Sequence, residues 1–162
     1  MKIFISYAHA SKDHKVWVRK LADALRQKSQ DVTLDQDDLR LGQIIEKFQK
    51  EGIEKADRVL VICSDAYVRK CDTDRTSGVG QEKALIAVET NSDCNTIKFI
   101  PILRDNKTRE MPFCLKGRLW LDASLDKHFQ NTVERVVEEV LRGRKTTRTK
   151  NKRVANIAKH AN

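Results

Sequence analysis

The sequence is short of the features that mark specialised classes. Among 162 residues there are only 2 Pro and 6 Gly, which excludes collagen-like and low-complexity chains. No apolar run exceeds five residues: Val59-Leu60-Val61-Ile62-Cys63 and Ala84-Leu85-Ile86-Ala87-Val88 are the longest. A membrane-spanning helix needs about 20, so no membrane partner is expected. Cysteine is sparse. Cys63, Cys71, Cys94 and Cys114 contain no CxxC pair, so neither a zinc site nor any other metal site is expected. Ala8-His9-Ala10 imitates a signal-peptidase site, but only Ile3-Phe4-Ile5 precedes it, far less than the roughly 7–15 apolar residues a leader requires. These absences together predict a reduced, cytoplasmic protein.

Acidic residues are missing from the end of the chain. Residues 142–162 carry eight Lys or Arg and no Asp or Glu. Subtracting those eight from the total of 32 leaves 24 basic against 23 acidic residues over 1–141, a net charge of +1 for the body. The expected division is a folded domain over 1–141 and a basic tail or linker over 142–162. That tail reads as a route to a partner domain or protein. No aromatic residue interleaves its charges for base stacking, so nucleic acid is not the expected partner.

What the sequence does have is alternation. Ile3-Phe4-Ile5 reads as a short strand. Ser11 to Lys28 follows as a helix with Trp17, Leu21 and Leu25 on one stripe, Ser11 as N-cap and Asp13 at its positive end. Asp31 to Leu34 reads as a second strand and Asp35 to Gly42 as an acidic loop. Ile44 to Ile53 reads as a helix with Ile44, Ile45 and Phe48 facing inward. The β-branched run Val59 to Cys63 predicts a strand buried on both faces, as in a parallel sheet. Residues 64–78 read as irregular, Gly80 to Thr90 as a helix, Ile97 to Leu103 as a strand and Arg118 to Leu121 as a short fifth strand. Phe129, Val133, Val136, Val137, Val140 and Leu141 form the stripe of a last helix. The pattern predicts an α/β fold with an open parallel sheet, whose ligands bind beyond the carboxyl ends of the strands.

The loops at those ends are 6–11, 35–43, 64–80 and 104–117. They contain no GxxxxGK[ST], GxSxG or HExxH. Gly78-Val79-Gly80 starts a GxGxxG, but Lys83 stands at the sixth position. Loop 6–11 offers Ser6 as a hydrogen-bond donor, Tyr7 as a stacking ring and His9 as a candidate acid or base, or else it is a solvated turn. Loop 35–43 has three acids within four residues, but Leu39 and Arg40 fall where a calcium loop needs an oxygen ligand and a glycine. Leu39 and Leu41 there suggest a contact surface instead. Glu82 falls in the first turn of the third predicted helix. The helix dipole favours any carboxylate there, but Val79 precedes it by three residues, so no capping box accounts for it; Glu82 reads equally as a dipole partner or as a functional carboxylate.

Three segments in order, Ile3-Phe4-Ile5-Ser6-Tyr7-Ala8-His9, Asp35-Gln36-Asp37-Asp38-Leu39-Arg40-Leu41-Gly42, and Val61-Ile62-Cys63-Ser64 with Tyr67 and Gly78-Val79-Gly80-Gln81-Glu82, resemble the boxes of bacterial Toll/interleukin-1 receptor (TIR) domains. The resemblance covers about residues 2–141. It implies a flavodoxin-like five-stranded sheet of order 2-1-3-4-5. With a glutamate at the Glu82 position it implies cleavage of NAD⁺, as substrate and not cofactor, at the nicotinamide–ribose bond. The products would be nicotinamide and ADP-ribose or a cyclic isomer, made by a self-associating signalling or defence effector. Glu82 would be the catalytic residue. Ser6, Tyr7, Ala8, Leu41, Gly42, Gln43 and Ile44 would line the nucleotide site. This chain has Ala8 where some eukaryotic members have Arg, and Gly78 where some have Trp. Two alternatives stand beside the hydrolase: a non-enzymatic adaptor acting by TIR–TIR contacts, and a nucleoside deoxyribosyltransferase-like enzyme.

Overall fold

The run Val59 to Cys63 lies at the middle of a parallel sheet. The computed structural model describes residues 1–73, 86–87 and 96–142. Its strands are β1 (Lys2–Tyr7), β2 (Asp31–Thr33), β3 (Arg58–Cys63), β4 (Phe99–Leu103) and β5 (Leu121–Asp122). They form a five-stranded sheet of order β2-β1-β3-β4-β5, every pair parallel. The helices are α1 (Lys12–Gln27), the single turn α2 (Asp35–Asp38), α3 (Ile45–Lys55) and α4 (Asp65–Thr73), with a last helix, α5, over 129–142. Residues 86 and 87 are also helical. This is the expected flavodoxin-like architecture.

Strand alternation divides the core in two. Ile3, Ile5 and Tyr7 of β1 and Leu60 and Ile62 of β3 pack with Trp17, Leu21 and Leu25 of α1 and Val133, Val136 and Val140 of α5. Phe4, Val59, Val61, Cys63, Phe99 and Leu103 face the other way, toward Ile53, Tyr67 and Cys71. All six residues of β3 are buried, as expected of a central parallel strand. Burial pushes the Cys63 thiol up to about 12, with the nearby Cys114 adding to the shift. Ser11 caps α1, its hydroxyl accepting from the His14 amide at 3.1 Å, with Asp13 in the first turn. Arg26 closes the outer edge of β2. Asp31 N donates inward to Met1 O, so the next carbonyl, Val32 O, faces out, and Arg26 Nη2 donates to it at 3.0 Å.

Several expectations are corrected. Residues 65–73 are a helix, not an irregular loop: Ser64 Oγ accepts from Tyr67 N at 3.1 Å as an N-cap, and Tyr67 and Cys71, one turn apart, are both buried. The acidic loop contains the turn α2, where Leu34 N donates to Asp38 Oδ2. The fifth strand starts later than expected. Gly117 has φ +83° and Arg118 Nη1 donates to Thr96 O at 2.6 Å, so the chain is still turning at 118. Ile44 and Ile45 do not face inward; they are 65% and 51% exposed, while Phe48 is half-buried and Ile53 is buried. Leu141 also lies outside the core of α5. The helix expected over 80–90, apart from 86 and 87, and the tail over 143–162 lie outside the described residues.

Candidate functional site

Because all strands are parallel, their carboxyl ends share one edge. Tyr7, Thr33, Cys63, Leu103 and Asp122 end the five strands there. Two histidine–aspartate pairs stitch that edge together. His9 Nε2 meets Asp35 Oδ2 at 2.6 Å, tying the turn after β1 to the start of α2. His14 Nδ1 meets Asp105 Oδ2 at 2.7 Å, tying α1 to the loop after β4. Asp105 accepts, so Nδ1 of His14 carries the proton. The His14 side chain is fully buried, and its Nε2 makes no hydrogen bond. The Tyr7 ring is near both imidazoles, its centroid 5.0 Å from that of His9 and 6.1 Å from that of His14.

Burial and the nearby Asp35 charge hold the Tyr7 hydroxyl far above its ordinary range, so it stays protonated. It makes no hydrogen bond of regular geometry. Burial alone would raise the Asp35 carboxyl. The His9 hydrogen bond and the neighbouring Tyr7 hydroxyl outweigh that and hold it below the usual carboxylate range. Asp65, at the start of α4, anchors the loop after β4, accepting from Lys107 N at 3.0 Å and from Thr108 Oγ1 at 2.8 Å. Asn106 Nδ2 donates to Cys63 O at 2.9 Å and Glu110 O at 2.7 Å.

The expected site residues fall in two places. Ser6, Tyr7 and Ala8 belong to the buried floor: they are 1%, 5% and 0% exposed. Ser6 Oγ and Tyr67 Oη lie 3.0 Å apart in the core, within hydrogen-bond distance. Tyr7, expected as a stacking ring, is 5% exposed and sits deep at the end of β1. Leu41, Gly42, Gln43 and Ile44 are all exposed. Gln43 N donates to Arg40 O, Gln43 Oε1 accepts from Arg40 N at 2.7 Å, and Gly42 takes φ +87°. This tight turn throws Leu41 fully into solvent. Gln43 and Ile44 line a groove of about 550 Å³ between α3 and the β1–β2 edge, with Phe4, Phe48 and Gly52. Glu82, with Gly78 and Gly80, lies outside the described residues. Among the described residues no group of three or more His, Cys, Asp or Glu is placed to hold a metal ion, and no helix is long and apolar enough to cross a membrane.

Sequence reasoning missed His14, Asp105 and Asn106. Only the position of the latter two, just past a predicted strand, signalled them. The partners lie 91 residues apart for His14–Asp105, and nothing local announces such a pair.

Comparison with known proteins places these features in a family. Residues 3–137 match the TIR domain family. A crystal structure of a prokaryotic SEFIR domain is 33% identical, covering 86% of this chain and 91% of its own, with a TM-score of 0.69. The TIR domain of the Toll-related receptor TRR-2 from Hydra magnipapillata is 19% identical, covering 86% and 97%, with a TM-score of 0.60. The IL-17 receptor B SEFIR domain is 12% identical, covering 86% and 96%, with a TM-score of 0.58. The last two likenesses show the fold alone. None of the curated proteins matches the chain.

Proposed function

The chain belongs to the TIR-domain family, and from that premise we propose that it cleaves NAD⁺ at the nicotinamide–ribose bond, with Glu82 as the catalytic residue. The observation that carries this reading is the joining of two of the three family-like segments at one sheet edge: the His9–Asp35 pair holds the turn after β1 to the acidic loop at 2.6 Å. The third segment carries Glu82, a first-turn acid that belongs to no capping box.

The chemistry asks for little more than one carboxylate. When the glycosidic bond breaks, its electron pair goes to the nicotinamide nitrogen, and the positively charged ring leaves neutral. Positive charge moves onto the ribose as an oxocarbenium-like cation. A carboxylate beside the ribose stabilises that cation electrostatically. Water then adds to C1, losing a proton, to give ADP-ribose; attack by a nitrogen or hydroxyl of the same molecule gives a cyclic isomer.

TIR domains are signalling modules that commonly self-associate. A second reading, an adaptor without turnover, is favoured by the exposed trio Leu41, Ile44 and Ile45. Incubating concentrated protein with NAD⁺ and resolving the products by chromatography separates the two. Released nicotinamide supports the hydrolase or cyclase. No release at any concentration, with assembly seen by light scattering, supports the adaptor.

A further inference from the structure

The outer face of α1 carries positive charge that the fold does not balance. A groove of about 820 Å³ runs along it from Lys12 to Gln27, its lining residues recurring at the spacing of one helix face. Arg19 there is held by Asp37, and Asp23 pairs with Arg26 at 3.2 Å. Lys12, Lys15 and Lys20 meet no carboxylate among the described residues; Lys20 lies over the Phe129 ring, 4.6 Å from its centroid. Lys12 and Lys15 also stand near the amino end of α1, where the helix dipole favours acids over cations. Folding gains nothing from that placement. Beside the lysines Val16 is 58% exposed, and two turns on Ala24 is half-buried, so the groove holds an apolar strip.

An elongated groove with an apolar strip and a cationic rim fits an amphipathic helix whose carboxylates lie beside the lysines. The end of this chain has the wrong sign for it, since residues 142–162 carry no Asp or Glu. A symmetric pairing of two copies through this face would bring two sets of unpaired lysines into one contact. A bilayer takes up protruding apolar residues, whereas this strip lies in a groove, and a nucleic-acid backbone would leave Val16 and Ala24 unused. We propose that the α1 groove docks an acidic amphipathic helix of a partner protein. Docking there is independent of NAD⁺ cleavage.

The probe is a fluorescein-labelled amphipathic peptide of about four helical turns, with Leu and Ala on one face and Glu along its flank, titrated with the full chain and followed by anisotropy. A scrambled peptide of the same composition, duplex DNA and phosphatidylserine vesicles are tested beside it. Lys12→Glu combined with Lys15→Glu reverses the rim, and Val16→Ser removes the strip. None of the three positions is buried. Acids suit the amino end of α1, so the melting temperature of the double variant should hold or rise.

The expected result is saturable binding of the amphipathic peptide, at least about tenfold weaker in the double variant and about three- to tenfold weaker in Val16→Ser. The scrambled peptide, with the charge but not the face, should bind wild type at least about threefold more weakly. No saturation below about 1 mM, or equal binding of the two peptides, overturns the proposal. Binding that survives all the substitutions places the peptide on the basic end of the chain and also overturns it. So does DNA or vesicle binding that is tighter than peptide binding and is lost in the double variant. Substitutions that weaken self-association in light scattering but leave peptide binding unchanged assign the face to contacts between copies instead.

Discussion

The ring of Phe4 occupies the space that a side chain at position 52 would need. A Cβ placed on Gly52 would stand 2.3 Å from Phe4 Cε2, well inside van der Waals contact, and Phe4 is itself 2% exposed and cannot swing away. Glycine therefore lets α3 lie directly on β1. Gly52→Ala should gain about 1 kcal/mol of helix propensity and lose about 1–3 kcal/mol to overpacking. We expect a lower melting temperature on balance, measured by circular dichroism. A raised melting temperature would mean that α3 slides off Phe4 at no cost.

Glu82→Gln should abolish nicotinamide release in a folded protein. The amide keeps the shape and hydrogen bonding but loses the charge that faces the ribose cation. The expected loss is at least about 10²-fold in turnover, read by chromatography of NAD⁺ digests. Wild-type turnover by this variant would remove Glu82 from the mechanism.

Leu41→Asp should weaken self-association. Leu41 stands at the apex of the turn over 40–43, fully exposed, whereas Leu39 is half-buried and contributes less to any contact. Burying one leucine on a neighbouring copy is worth roughly 1.5–3 kcal/mol, about 10- to 100-fold in an association constant. Light scattering against concentration, for wild type and variant, gives the answer. Identical curves would exclude the turn from the contact.

Acidification should loosen the join between loops. The Asp35 carboxyl titrates below its usual range in the folded protein. Its stabilising contribution is therefore complete above the ordinary carboxylate range and fades as pH falls through the lowered folded value. Asp35→Asn should flatten that acid limb and leave the slope elsewhere unchanged. Urea midpoints across pH 2–6 provide the comparison, in steps of about half a unit. An acid limb as steep in the variant as in wild type would place the sensitivity on other carboxylates.

Periodicity made the sheet legible. The run Val59 to Cys63 and the stripe Trp17, Leu21, Leu25 each bury where the pattern put them. It failed where burial is partial. Ile44 and Ile45 have the right spacing for an inward face, but the turn at Gly42 sets α3 so that only its later half, from Phe48 to Ile53, reaches the sheet. Helix α4 was missed because its buried stripe is just Tyr67 and Cys71 among polar neighbours. For the candidate site, sequence located the loops but not how deeply each residue sits. Tyr7 and His9 are two apart and read alike as loop residues. Tyr7, the last residue of β1, still belongs to a strand covered on both faces, while His9 lies beyond the strand.

The Arg26 guanidinium on Val32 O also limits how copies can join. That carbonyl is one that an incoming strand would have to use, and it is already occupied by a side chain anchored to Asp37 at 2.7 Å and Asp23 at 3.2 Å. Growth through this edge by adding strand to strand is blocked. A polymer of this protein that forms at the β2 side is a string of separate folded beads, each keeping its own finite sheet. It should dissolve on dilution and not stain as amyloid.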